Sequence, residues 1–162
     1  MLPLVTTRFN ETTWNENLNY RLKNNINGGV YSVPSKMSPK IGLNELVFII
    51  EMNNTKNKIE GISLIKNFIE TEKYYKVYSD ANYNRYTYKT DYRIDRPQLE
   101  QYNSKLVFIL DELLFKGSTH LKRGRGITTV TEKLLRSPLC SEMNLSEEVK
   151  KIFVTHFGKK NI

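Results

Sequence analysis

Apolar positions divide the chain into stretches with different periods, and each period predicts an element. In residues 12–24 (TTWNENLNYRLKN), Trp14, Leu18 and Leu22 recur at i, i+4 and i+8, one face of a helix that the Thr12–Thr13 pair can cap. The Asn27–Gly28–Gly29 run breaks it. Residues 30–44 carry two prolines among small polar residues and predict a loop with short extended pieces. Leu46 to Met52 is apolar on both faces, as a central strand is. A polar turn over 53–57 leads into a second strand, Lys58 to Ile65, with Gly61 inside it.

Seven of the ten tyrosines then fall between Tyr74 and Tyr92, mixed with lysine and arginine. Near alternation at Tyr86, Tyr88 and Tyr92 predicts strands, with a turn at Ser79–Asn82 between two of them. Asp95 and Pro97 open a long helix in which Leu99, Tyr102, Leu106, Ile109 or Leu110, and Leu113 are spaced by three or four, and Gly117 stops it. Thr131 to Arg136 reads as a short helix. A last helix, Val149 to Phe157, is capped by Ser146 with Glu147 and Glu148 behind it and ends at Gly158. The fold class is therefore α+β: a small, mostly antiparallel sheet or open β-barrel with helices packed around it. At 162 residues, without repeats or low-complexity tracts, the chain predicts a single domain over residues 1–162.

Charge changes this picture. Twenty-five Lys and Arg stand against seventeen Asp and Glu, a balance of +8. The surplus is concentrated between Lys116 and Arg136, where Glu132 alone opposes six basic residues. A clustered excess points to a polyanionic partner, of which nucleic acid is the commonest. Seventeen Asn, seventeen Lys and thirteen Ile also match coding from AT-rich DNA, which accounts for part of the lysine without any partner. No apolar run reaches the ~20 residues of a membrane span, and the N-terminus has no apolar segment behind a basic start. No membrane partner and no secretion are expected.

The chemistry is concentrated in residues 116–127, KGSTHLKRGRGI. Gly117, Gly124 and Gly126 let backbone approach a ligand closely, while Lys116, Lys122, Arg123 and Arg125 surround them with charge. That combination suits phosphate oxygens, which Arg forks bind bidentately. His120 is the one imidazole inside this loop. The spacing is neither a P-loop nor a dinucleotide fingerprint, so the alternatives are an anion site or a glycine turn with solvated charges. In the tyrosine-rich stretch, Tyr83, Tyr86 and Tyr88 are candidates for stacking on bases, with Arg85 placed to hold the backbone between them. Most of the other rings there are expected to be structural packing. Trp14 and Cys140 read as core residues. Glu51 and Glu60, on adjacent strands, form either a carboxylate pair or a sheet-rim ion pair. One cysteine and two distant histidines offer no metal-ligand set, and no cofactor or catalytic residue is assigned.

Three strings, VYSVPSKMSPKIGLNELVFIIEMNNTKNKIEGISLIKN, VYSDANYNRYTYKTDYRIDR and FKGSTHLKRGRGIT, resemble a small family of proteins without an assigned activity from large double-stranded DNA viruses of protists, of marseillevirus and mimivirus type. The likeness runs from about Gly28 to Thr128. It implies a viral source, and with it the virion or the infected host's cytoplasm or nucleus. At the level of fold, the apolar strand, turn and returning strand with its K-I-x-G-I pattern are similar to PUA-like domains (EVE, ASCH, YTH). This second resemblance implies a basic barrel that reads RNA or modified bases, although a tryptophan methyl cage has only Trp14 to draw on. The function expected first is a non-enzymatic module binding RNA or DNA. The alternatives are a structural or accessory virion protein and an enzyme acting on nucleic acid or nucleotides through His120 or the Glu51/Glu60 region.

Overall fold

In the computed structural model, which describes residues 1–161, the chain runs through strand β1 (Leu4–Phe9), helix α1 (Glu11–Lys23), and strands β2 (Gly29–Val33), β3 (Leu46–Asn53) and β4 (Lys58–Lys66). Strands β5 (Tyr86–Thr90) and β6 (Arg93–Asp95), helix α2 (Arg96–Phe115), strand β7 (Thr128–Thr129), and helices α3 (Glu132–Leu135) and α4 (Leu145–Phe157) follow. This is an α+β fold. Strand β3 sits in the middle of a five-stranded sheet ordered β6-β4-β3-β1-β7, and β2 and β5 form a separate antiparallel ribbon. Among the described residues every pairing is antiparallel except that of β1 with β3. The sheet stays open: its edges are the three-residue β6 and the two-residue β7, too short to close a barrel.

The apolar run of β3 explains the layering, because successive side chains point to opposite faces. Phe48, Ile50 and Met52 join Leu99, Leu106, Leu110, Val149 and Phe153 in a core under α2 and α4. Val47 and Ile49 face the other way and join Val5, Phe9, Tyr31 and Tyr88 in a second core, beneath the ribbon. Turn 53–57 is set by Asn53, whose Oδ1 accepts from the amides of Thr55 and Lys56 at 3.1 Å, and by Asn57 in the left-handed region at φ 54°.

Several local expectations are corrected. Strand β1 lies in an N-terminal stretch whose polar centre, Thr6–Thr7–Arg8, carries no strand period. Helix α1 is capped by Asn10 rather than by the Thr pair: Asn10 Oδ1 accepts from Thr13 N at 2.8 Å, and Thr13 Oγ1 accepts from Asn10 N at 3.0 Å. Its buried face is polar, built on Asn17 and Arg21, whereas Leu22 is 68% exposed. Residues 74–80 form no strand, and Ala81–Asn84 is a single 3-10 turn. Helix α2 is broken at Asn103 (φ −160°, ψ 91°), whose Oδ1 accepts from Leu106 N and caps the second half. Helix α4 begins at Leu145 under an Asn144 cap, and Ser146 donates instead to Leu2 O at 2.6 Å. No helix among the described residues is long and apolar enough to cross a membrane.

Candidate functional site

The basic glycine loop is held against the sheet by a residue from the other end of the chain. Arg8, on β1, donates through Nη1 to Thr6 Oγ1 (2.9 Å), Thr128 Oγ1 (3.0 Å) and Leu121 O (3.2 Å), and through Nη2 to Thr6 O (3.3 Å) and Gly126 O (2.5 Å). Asn54, at the β3–β4 turn, donates to Lys122 O at 2.9 Å. A Cβ on Gly124 would lie 2.8 Å from Arg8 Cζ, so glycine is what lets the loop close on the guanidinium. Gly126 turns the chain at φ 67°.

Every acceptor of Arg8 is neutral. It takes part in none of the ion pairs among the described residues, and its Nε is buried without a partner. Burial without a carboxylate draws the guanidinium pKa down to about 10.

Beside this anchor lies a cleft of about 250 Å³. Arg8, Lys122 and Arg125 supply three cations to its wall, and among the described residues no Asp or Glu lines it. Asn10 and Thr13, at the N-terminus of α1, add the positive end of a 13-residue helix dipole. Phe9, Tyr78 and Tyr83 supply the aromatic surface; Tyr83 is 42% exposed and stands edge-on to Tyr78 with centroids 6.2 Å apart.

The fold thus brings Lys122, Arg125, Gly124 and Gly126 together with Tyr83. The other sequence candidates lie elsewhere. Lys116 is exposed at the end of α2 and pairs with Glu112 at 2.6 Å. His120 Nδ1 accepts from Lys122 N at 3.2 Å, which shapes the loop without lining the cleft, and Arg123 does not line it either. Arg85 and Tyr86 line a neighbouring cleft. Tyr88 cannot stack on a ligand: it is 0% exposed in the core under the ribbon, and its hydroxyl accepts from Met37 N at 2.9 Å. Arg8, Asn54 and Tyr78 are lining or anchoring residues that the sequence did not single out. The only advance signal was that Arg8 is a charged residue inside an otherwise uncharged N-terminal segment.

Glu51 and Glu60 form no carboxylate pair. A bulge between Glu51 and Met52 leaves Glu60 outside the register, where it accepts from Asn53 Nδ2 at 3.3 Å. Glu51 is 2% exposed and accepts two bonds from Arg93, Nε to Oε2 at 2.9 Å and Nη2 to Oε1 at 2.7 Å, and one from the Tyr31 hydroxyl at 2.7 Å. This ion pair belongs to the interior rather than the rim. Trp14, half-buried against Phe9, carries the guanidinium carbons of Arg21 and Arg93 at 5.3 and 5.9 Å from its ring. Gly61 admits the pair, since a Cβ there would lie 2.8 Å from both Arg93 Nη2 and Glu51 Oε1. No three His, Cys, Asp or Glu side chains among the described residues cluster in a way that could hold a metal ion.

Comparison with models of protein families, with curated proteins and with solved structures found no match.

Proposed function

We propose that this protein is a nucleic-acid-binding module that takes RNA or DNA into the cleft between β1, the N-terminus of α1 and the 121–127 loop. One observation carries the reading: among the described residues three cations and no carboxylate line the cleft, and one of those cations, Arg8, is largely desolvated with neutral partners only. A half-buried cation in that state gains from an incoming anion, which offsets its lost hydration. Arg125 and Lys122 would meet phosphate oxygens from the more solvated side, and Tyr83 offers a ring against which an unpaired base can stack. The module acts in this reading by holding its ligand. The likeness to PUA-like readers enters as shared chemistry, a basic cleft edged by aromatic rings, because the sheet here is open. A viral source would make the genome or its transcripts the natural ligand.

Salt titration of binding tests the proposal. Each phosphate neutralised on a single strand contributes ~0.7 to the slope of log K against log salt. Replacing Lys122 and Arg125 together by Ala should weaken binding of a single-stranded oligonucleotide and flatten the slope by ~1.4. An unchanged affinity and slope would remove the cleft as the site.

A further inference from the structure

A second basic cleft, of about 380 Å³, is joined to the first by two short stretches of chain. Tyr83 lines the first cleft and Asn84 to Thr87 the second; Pro34 lines the first and Lys36 the second. Lys36, Lys73 and Arg85 surround the second cleft against one carboxylate, Glu70. Its three aromatic rings differ in availability: Tyr75 is buried, with Lys73 and Lys89 Nζ at 5.1 and 5.3 Å from its centroid. The ring of Tyr86 is already engaged, with Lys36 Nζ and Arg85 Cζ at 5.6 and 5.7 Å from its centroid, so it holds the cations rather than offering a free face. Tyr74 is 63% exposed, and its hydroxyl is fixed by Asn84 Nδ2 at 3.2 Å.

Asn84 is the device that sets both open rings. Buried in the 81–84 turn, it accepts from Tyr78 N at 2.9 Å and donates to Tyr78 O at 2.7 Å, while the same Nδ2 reaches Tyr74. Tyr78 in turn supports Tyr83 edge-on. One asparagine therefore holds an exposed tyrosine in each cleft, and Arg85 and Lys36 line the second of them.

We propose, resting on the reading above, that the two clefts are a single binding track for a single-stranded nucleic acid longer than one nucleotide. One unpaired base stacks on Tyr83 and another on Tyr74, and the intervening phosphates pass Arg85 and Lys36 over the turn. Stacking on both rings requires unpaired bases, and two platforms in two clefts exceed the reach of a mononucleotide.

Fluorescence anisotropy on the full chain, with labelled single strands of one, four and twelve nucleotides in both RNA and DNA form, tests this. In at least one of the two chemistries, affinity should rise with length. Tyr74→Ala should weaken the twelve-mer by about ten-fold or more, as loss of a stacked base does, and leave the mononucleotide unchanged. Tyr74→Phe, which keeps the ring, should retain most of the affinity, whereas Lys122→Ala should weaken every length. If Lys122→Ala weakens binding and Tyr74→Ala does not, the track is refuted and the first cleft stands. If neither variant has an effect, or no strand binds in either chemistry, both fall. Equal binding of a duplex of the same sequence, or displacement of the strand by poly-glutamate at equal charge concentration, would also overturn the track. Tyr74 is exposed, so unchanged melting temperatures for its variants are expected and keep the comparison clean.

Discussion

Glu51→Gln isolates the buried charge cluster with almost no change in shape. The wild-type carboxylate faces two buried cations: Arg93, which it binds through two hydrogen bonds, and Arg21, 6% exposed, whose Nη2 is buried without a partner. Glutamine removes the only anion of this group and turns a donor toward Arg93. Breaking a buried pair from one side costs about 3–5 kcal/mol, since the remaining charge keeps its desolvation penalty. Against a total stability of about 5–15 kcal/mol, that is a large share. In a chain of this length about 2–4 °C of melting temperature is lost per kcal/mol, so a fall of roughly 6–20 °C is expected. Thermal unfolding by circular dichroism, with a urea titration beside it, measures this. Arg93→Gln added to Glu51→Gln should cost less than the sum of the two single changes. The acid limb supplies a separate reading. Burial alone raises the Glu51 pKa, but the charge and hydrogen bonds of Arg93, with the Tyr31 hydroxyl, outweigh it and hold the carboxyl below its ordinary value. A depressed folded-state pKa means stabilisation that is present above the unfolded carboxylate's pKa, about 4.3, and lost as pH falls through the folded one. The glutamine variant should therefore show a shallower acid limb. A melting temperature within about 2 °C of wild type, together with an unaltered acid limb, would refute the assignment of the ion pair as a structural element.

Three further outcomes follow from the same geometry. Arg8→Ala removes the donors that tie Leu121, Gly126 and Thr128 to β1, so amide exchange should accelerate across residues 121–128 and nucleic-acid binding should fall at least as far as in Lys122→Ala. Gly61→Ala puts a Cβ against Arg93 and Glu51 and should cost about 1–3 kcal/mol in urea unfolding, while Leu22→Lys, on the exposed side of α1, should change stability by less than about 0.5 kcal/mol. Asn103→Ala deletes the cap inside α2 and should cost about 1 kcal/mol by the same measurement.

What the sequence discloses here depends on whether an element is organised by apolar period. Strands β3 and β4 and the bulk of α2 bury Leu, Ile, Val and Phe at strand or helix spacing, and they lie where the pattern puts them. Strand β1 and the inner face of α1 bury Thr6, Thr7, Asn17 and Arg21, polar groups whose burial depends on partners more than a dozen residues away, and no local period reports those. The same limit separates the tyrosines. Composition marks residues 74–92 as aromatic, but Tyr86 and Tyr88 are two apart on one strand and share the face turned toward the second core, whereas Tyr74 lies in an irregular segment and Tyr83 in the 3-10 turn, and both are exposed. The basic glycine loop was visible because its charge and its glycines are contiguous. Arg8 and Asn54, which position it, were not, because their relation to the loop exists only in three dimensions.

The first cleft draws its wall from five separate stretches: residues 7–10 with Thr13, residues 32–34, Asn54, Tyr78 with Tyr83, and Lys122 with residues 124–126. No excised peptide reproduces such a surface, and an unfolded chain does not possess it at all. Occupancy and folding are consequently linked equilibria: whatever settles there, and not on the unfolded chain, must raise the thermal midpoint of the entire molecule, by an amount that grows with the logarithm of its concentration above Kd. Denaturation in the presence of a panel of polyanions then becomes a way to find the ligand without first guessing its sequence.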